Sequence, residues 1–372
     1  VSHARAGLVL ALLAAALPAT AQEPAPVYQD QKGFSLKVDG LFRREWTQDV
    51  QVAEGVFEDD DRWRGQLRPR FELDLNMLVL GVGGDFNYSS DENTEGAPAI
   101  VRDNYKSRDA RVDLAFARLQ PAGWLRLEGG RFVMPVALTE MIWDHDLRPQ
   151  GGALTLDFGT HGGQGSFGFT VLGARGSHVF DDSDTEMLVA SLQARLPAGQ
   201  DKKLELLASY VAFYDVDQLE PILRRQNLRV AGAPPPAPLA LDYRVVDLVA
   251  RVRSTGSVPA LLLAEYCWNT EADDLNKGVW AAVAVGSTAT GRTRLEYTYA
   301  RVDRDATLAA YNADDFFWGT GWEGHRLDVG FRTGGHASVH GVGQLQRFKD
   351  SPREFERDEW VKRYRLEVRV RN

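Results

Sequence analysis

Residues 66–76 read QLRPRFELDLN, and their alternation constrains the fold more than any other feature of the chain. Leu67, Phe71, Leu73 and Leu75 share one parity; Gln66, Arg68, Arg70, Glu72, Asp74 and Asn76 share the other. Successive side chains on a strand point to opposite faces, so this segment has one apolar and one charged face. One such strand would suit a soluble sandwich. Here the pattern recurs to the end of the chain, with no convincing amphipathic helix between repeats. That predicts an all-β fold: a transmembrane antiparallel barrel of about sixteen strands, apolar outside and polar within.

The other strands read the same way. Phe34, Leu36, Val38 and Phe42 form the apolar face of the first, and Leu78, Leu80, Val82, Phe86 and Tyr88 that of the third. Val112, Leu114 and Phe116 are expected outward on the fourth; Leu125 and Leu127 oppose Arg126 and Glu128 on the fifth. Two weaker strands fall near 153–158 and 165–173. The second half is cleaner: Leu248 opposes Asp247, Leu295 opposes Arg294 and Glu296, Leu327 opposes Arg326 and Asp328, and Leu366 opposes Arg365 and Glu367. Residues 279–285 are apolar on both parities, which leaves their facing open.

Short spacers rich in turn residues, at 120–123, 196–201, 254–257 and 333–336, alternate with long ones. The long ones are expected at 47–63, 89–110, 131–152, 175–186, 215–239, 269–277, 302–322 and 349–359. Short turns on one side of a membrane and long loops on the other are a feature of outer-membrane barrels. The acidic runs 58–61 and 181–184 fall in such loops, where they are solvated or hold a divalent ion against lipid phosphates. Trp124, Tyr88, Tyr214, Trp268, Tyr299 and Trp360 lie near strand ends, where aromatic belts form.

At the start, Arg5, an apolar run at 7–17 and the small residues Ala19, Thr20 and Ala21 predict a cleaved secretory signal over 1–21. Residues 22–32 then form a periplasmic segment and 33–372 the barrel. No later run is long and apolar enough for a transmembrane helix. The net charge of -9 argues against a nucleic-acid partner. Cys267 is the sole cysteine, so no intrachain disulfide exists, and stability is expected from the closed hydrogen-bonded wall.

Residues 129–158 form a long insert after the fifth strand. Gly130, Arg131, Pro135, the run Trp143, Asp144, His145, Asp146, and the pair Gly151, Gly152 resemble a bacterial outer-membrane family of sixteen-stranded porins, and more distantly the phosphate-selective porins. In such proteins the loop after the fifth strand narrows the pore. The resemblance therefore implies a constriction at 131–152 bordered by Arg131, Glu140, Asp144, Asp146 and Arg148. It also implies passive diffusion of small hydrophilic solutes or ions, a homotrimer, contact with outer-membrane lipids and lipopolysaccharide, and insertion by the barrel-assembly machinery. The chain departs from that pattern at Asn372, where such barrels often carry an aromatic residue.

By parity the lumen wall is expected to include Arg68, Arg70, Glu72, Asp74, Arg126, Glu128, Arg294, Glu296, Arg326, Asp328, Arg365 and Glu367. Both signs are present, so these side chains either set ion preference or brace one another across strands. Asp144, His145 and Asp146 are suitable metal ligands, but adjacent positions diverge and the spacing matches no known site, so no metal or other cofactor is expected. Some outer-membrane barrels are lipid hydrolases with a Ser–His pair. His325, His336 and His340 lie on or beside late strands, yet no G-x-S-x-G, H-E-x-x-H or assignable Ser–His pair appears. An enzyme is the weaker alternative, as is a channel specific for anions or carbohydrate acids.

Overall fold

The computed structural model describes residues 33–90, 108–159, 165–176, 185–219, 224, 226–234, 237–313, 315–316, 319–350 and 359–371. The expected signal at 1–21, the segment 22–32, the acidic run 181–184 and Asn372 lie outside the described residues. Sixteen strands form one closed sheet. They are β1 (Gly33–Ala53), β2 (Val56–Asp74), β3 (Leu78–Ser89), β4 (Asp109–Ala122), β5 (Leu125–Arg131), β6 (Gln150–Gly159), β7 (Ser166–Arg175) and β8 (Glu186–Pro197). The circuit continues with β9 (Lys202–Tyr214), β10 (Tyr243–Ser254), β11 (Ala260–Asn269), β12 (Lys277–Gly286), β13 (Thr293–Val302), β14 (Trp322–Arg332), β15 (Ala337–Phe348) and β16 (Trp360–Arg371).

Each strand pairs antiparallel with its sequence neighbour, and β1 closes on β16 from Asp39 opposite Arg371 to Gln48 opposite Lys362. An antiparallel ring closes only with an even number of strands. Closure leaves no edge, so wall backbone groups are paired without water, as a hydrocarbon surround requires. Phe71, Leu248 and Leu366 stand outward, 40%, 43% and 51% exposed. They belong to a belt that includes Leu80, Leu192, Leu262, Leu295, Leu327 and Phe331. A water-soluble protein would bury such residues, and a transmembrane barrel turns them to lipid. Trp124, Tyr88 and Tyr214 are also exposed near strand ends.

Two expectations need correction. First, 47–63 is not a loop: β1 and β2 run on to a tight turn at Glu54 and Gly55. The acidic residues 58–61 are therefore strand residues. Asp61 pairs with Arg44 at 2.8 Å, and Asp59 accepts from the Asp49 amide at 3.1 Å.

Second, Leu114 and Phe116 face inward, with 3% and 6% exposure. Gly83 pairs with Leu114 but Gly84 pairs with Val112, so Asp113 is an extra residue that flips the parity of β4 beyond it. Gly81 accommodates the turned-in ring, since a Cβ there would lie 2.3 Å from Phe116.

Asp74, expected on the lumen wall, is half-buried at the end of β2. It accepts the Asn76 amide at 2.9 Å, which supports Asn76 in the left-handed region at φ 73. The open question on β12 is also resolved. Val279, Val283 and Val285 face out, while Trp280, Ala282 and Ala284 face in.

Candidate functional site

The segment 132–149 turns into the barrel instead of capping it. Its sequence explains why: Phe132, Val136, Leu138, Met141, Ile142, Trp143 and Leu147 are too apolar for a surface loop, and all are buried. The surface they cover is the inward face of β7–β13, which carries Leu172, Val189, Val211, Val249, Leu263 and Val302. A second inward loop, 303–321, adds Leu308, Ala310, Tyr311 and Phe316 to the same cluster. Trp143 stacks on Tyr311 at 5.5 Å, and Tyr311 stacks on Phe213 of β9 at 5.1 Å. The Asp144 amide donates to the Tyr311 carbonyl at 2.7 Å, and the Ala313 amide donates to the Glu140 carbonyl at 2.9 Å. The two loops form one body inside the lumen.

Polar latches fix this body around the circumference. Arg251 donates to the Ala137 carbonyl at 2.6 Å, and the Thr139 hydroxyl donates to Glu265, a buried carboxyl on β11. Glu140 meets Arg326 at 2.7 Å; the Arg326 guanidinium also lies 4.8 Å from the Phe316 ring centre. Asp146 meets Arg68 at 2.6 Å and Arg64 at 3.2 Å. Arg148 pairs with Asp113 at 3.1 Å and donates to the carbonyls of His145 and Leu147.

Of the five expected constriction residues, Glu140 and Asp146 tie the loop to wall arginines. Asp144 accepts the Asp146 amide at 2.7 Å and shapes the loop's own turn. Arg148 braces the loop root, and Arg131 ends β5 with its Nε on the Asp113 carbonyl at 3.0 Å. The acidic and imidazole groups at 144–146 do not converge, and no metal-holding cluster occurs among the described residues.

The wall residues also come as pairs. Arg70 meets Glu72 at 2.5 Å, Arg118 meets Glu128 at 2.6 Å with Arg126 behind it at 3.7 Å, and Arg294 meets Glu296. Glu367 joins Arg43 at 2.8 Å, Arg365 at 3.4 Å and Arg369 at 2.5 Å. Asp328 meets Arg369 at 3.2 Å. Bracing is thus the first use of these charges.

The arrangement of a closed sixteen-strand wall, with a folded-in loop after β5, can now be set beside known structures. Pseudomonas putida OprB at high pH aligns over 91% of this chain and 94% of its own, with TM-score 0.61 and 12% identity. Salmonella typhi OmpF, solved with daunomycin, aligns over 93% and 99%, with TM-score 0.55 and 14% identity. The chain has the porin fold. A variant of the Rh. blastica porin aligns at TM-score 0.50 and 11% identity. No protein-family model matches the sequence, and no curated protein does either.

Within this porin fold the densest charge lies at β16, β1 and β2. Arg43, Arg62, Arg64, Arg363 and Arg365 all turn inward and are nearly inaccessible. Arg43 is directly opposite Arg64, a repulsive cross-strand pair unless an anion intervenes. Asp315 from the 303–321 loop supplies that anion. It meets Arg43 at 2.6 Å, Arg365 at 3.1 Å and Arg64 at 3.6 Å, yet keeps 40% of its side chain open to the lumen. Partial removal from water would raise the Asp315 carboxyl, but Arg43, Arg365 and Arg64 hold it well below the usual carboxylate range. Asp146 behaves likewise: burial opposes ionisation, and Arg68 and Arg64 overcome it.

Sequence reading missed Arg62 because 47–63 reads as a loop, and Arg64 because it lies between that loop and the strand read from Gln66. It missed Asp315 because a loop residue shows no parity. The apolar run at 308–311, inside a long loop, is the signal that this loop turns inward.

Proposed function

We propose that this protein is an outer-membrane porin, a water-filled channel for passive diffusion of small hydrophilic solutes or ions. The observation that carries the reading is a wall apolar toward the outside and lined within by paired charges, beside which two loops are packed. A field between fixed opposite charges in a narrow, low-dielectric opening acts on a passing solute more strongly than the same charges in bulk water. In this reading Arg131, Glu140, Asp144, Asp146 and Arg148 position the constriction. Asp315, with 40% of its side chain open, faces the solute path, and the buried arginines around it act on that path through their charge. The reading is of transport rather than catalysis.

Anions are the favoured class. Around Asp315 six arginines (43, 62, 64, 68, 363, 365) share five carboxylates (Glu45, Asp85, Asp146, Asp315, Glu367). A surplus of arginine favours anions in a selectivity filter. We further infer an export signal at 1–21, short turns on the periplasmic side, a homotrimer, surrounding lipopolysaccharide, and insertion by the barrel-assembly machinery. The test is conductance of the refolded protein in planar bilayers. A porin gives ohmic steps that scale with salt; a sealed barrel gives none.

A further inference from the structure

At the mouth that carries the short turns, β14 and β15 bring together three side chains outside the constriction. Ser338 and His340 lie two apart on one strand and share the lumen face; Asp328 lies on the neighbouring strand. His340 Nδ1 is 2.7 Å from Asp328 Oδ1, and His340 Nε2 is 3.0 Å from Ser338 Oγ. A carboxylate only accepts, so the proton on Nδ1 is fixed toward Asp328. Nε2 is then left as the acceptor facing the Ser338 hydroxyl. This is the tautomer a general base needs, and the chain of contacts runs in the order nucleophile, base, orienting acid.

The surroundings fit the same use. Gly330 stands opposite His340, and a Cβ there would lie 2.5 Å from the imidazole, so the ring occupies space only a glycine leaves. Arg369 holds the other Asp328 oxygen at 3.2 Å. Arg332 is directly across from Ser338. Its Nε is spent on the Thr288 carbonyl at 2.6 Å, while its buried Nη2 has no hydrogen-bond partner. The positive charge of Arg332, one strand across from the nucleophile, would favour a developing oxyanion. His340 is almost fully buried, whereas Ser338 is half-buried and reachable from the lumen.

We propose that Ser338, His340 and Asp328 form a serine-hydrolase centre inside the barrel, acting on small hydrophilic acyl esters. Ser338 Oγ attacks the ester carbonyl as its proton passes to His340 Nε2, and Arg332 takes up the charge on the carbonyl oxygen. The bond to the leaving alcohol breaks as His340 returns the proton to it. Water then repeats the two steps on the acyl-serine, releasing the carboxylic acid and restoring Ser338. No oxidant, metal or further reactant is needed. Asp328 is a positioning residue, since it acts through the imidazole. The proposal goes beyond the channel reading and does not depend on it.

The test uses the full refolded chain in detergent, treated with a fluorophosphonate probe and, separately, with 4-nitrophenyl acetate. The expected result is one adduct, mapped to Ser338, and release of nitrophenolate that Ser338→Ala abolishes. His340→Gln should slow both reactions by at least about a hundredfold, the usual scale for losing a general base. Asp328→Asn should slow them while leaving the barrel assembled, because Arg369 keeps its bond to Glu367. An unlabelled wild-type protein, a label that persists in Ser338→Ala, or hydrolysis indifferent to that substitution would each overturn the proposal. A bilayer conductance that is lost while labelling survives would count only against the channel.

Discussion

Strands β14–β16 and β1–β5 turn mainly arginines and carboxylates into the lumen, whereas β7–β13 turn in mainly apolar side chains such as Met187, Val189, Leu207, Phe213, Val245, Trp280 and Ala300, with Arg251, Asp247 and Glu265 among them. The outer surface makes no such distinction, since both arcs show the same leucine, valine and phenylalanine belt. The difference therefore concerns what each arc faces across the lumen. The apolar arc seats the two inward loops through Trp143, Tyr311 and Phe213; the charged arc meets their polar edges through Asp146, Glu140 and Asp315. One side holds the constriction by burial, and the other confronts the solute with charge.

If the apolar arc is the seat, removing its central ring should have the largest effect. Trp143→Ala is expected to cost about 3–5 kcal/mol, the usual range for deleting a buried aromatic. The loss should appear as a larger, noisier conductance and faster proteolysis at 132–149, with the barrel itself retained. A smaller effect is expected on the charged arc from Gly81→Ala. The added methyl displaces Phe116, over which Arg70 and Arg118 lie at 5.4 and 5.1 Å, and overpacking of this kind costs roughly 1–3 kcal/mol. Thermal unfolding in detergent measures it. Unchanged stability in both variants would remove the distinction between the arcs.

How far this contrast is legible without coordinates differs residue by residue. Alternation reads the outward belt because lipid demands the same chemistry at every second position, and Phe71, Leu248 and Leu366 all stand where parity puts them. The lumen demands only that its contents match one another. On β12 both faces are apolar, and nothing local says that Trp280 turns in to meet the Phe316 ring edge-on at 5.6 Å. A one-residue bulge at Asp113 leaves no mark in composition, so Leu114 and Phe116 read as lipid-facing. Arg64 and Asp315 are far apart in the chain and meet only once the wall closes. No Ser–His pair is assignable from the sequence, and Ser338, His340 and Asp328 come together only through the register of β14 on β15.

Charge changes sharpen the comparison at a smaller scale. Asp315→Asn leaves Arg43, Arg64 and Arg365 short of an anion. The reversal potential in a salt gradient should move toward the anion equilibrium by a few-fold in permeability ratio, and stability should fall because the buried arginines lose their shared anion. The pH response should be smaller still. The Asp315 and Asp146 carboxyls are both depressed below the usual value of 3.8, so the stability they lend is fully present above that value and fades only as pH falls through their lower folded values. Conductance and selectivity set by these two groups should therefore stay flat from neutral pH to about 4, and loop release should begin only in stronger acid. A transition between pH 5 and 7 would show that other groups control the loops.

The most direct measurement uses thiol chemistry to separate the two arcs. Cys267 is the sole native cysteine and lies fully buried on the apolar arc, whereas position 315 projects into the lumen beside the arginines. A water-soluble, negatively charged methanethiosulfonate reagent is added to single channels of the wild type and of Asp315→Cys. The predicted result is a stepwise fall in current for Asp315→Cys within seconds and none for the wild type. An inert residue 315, or a wild-type channel blocked through Cys267, would contradict a solute path along the charged arc.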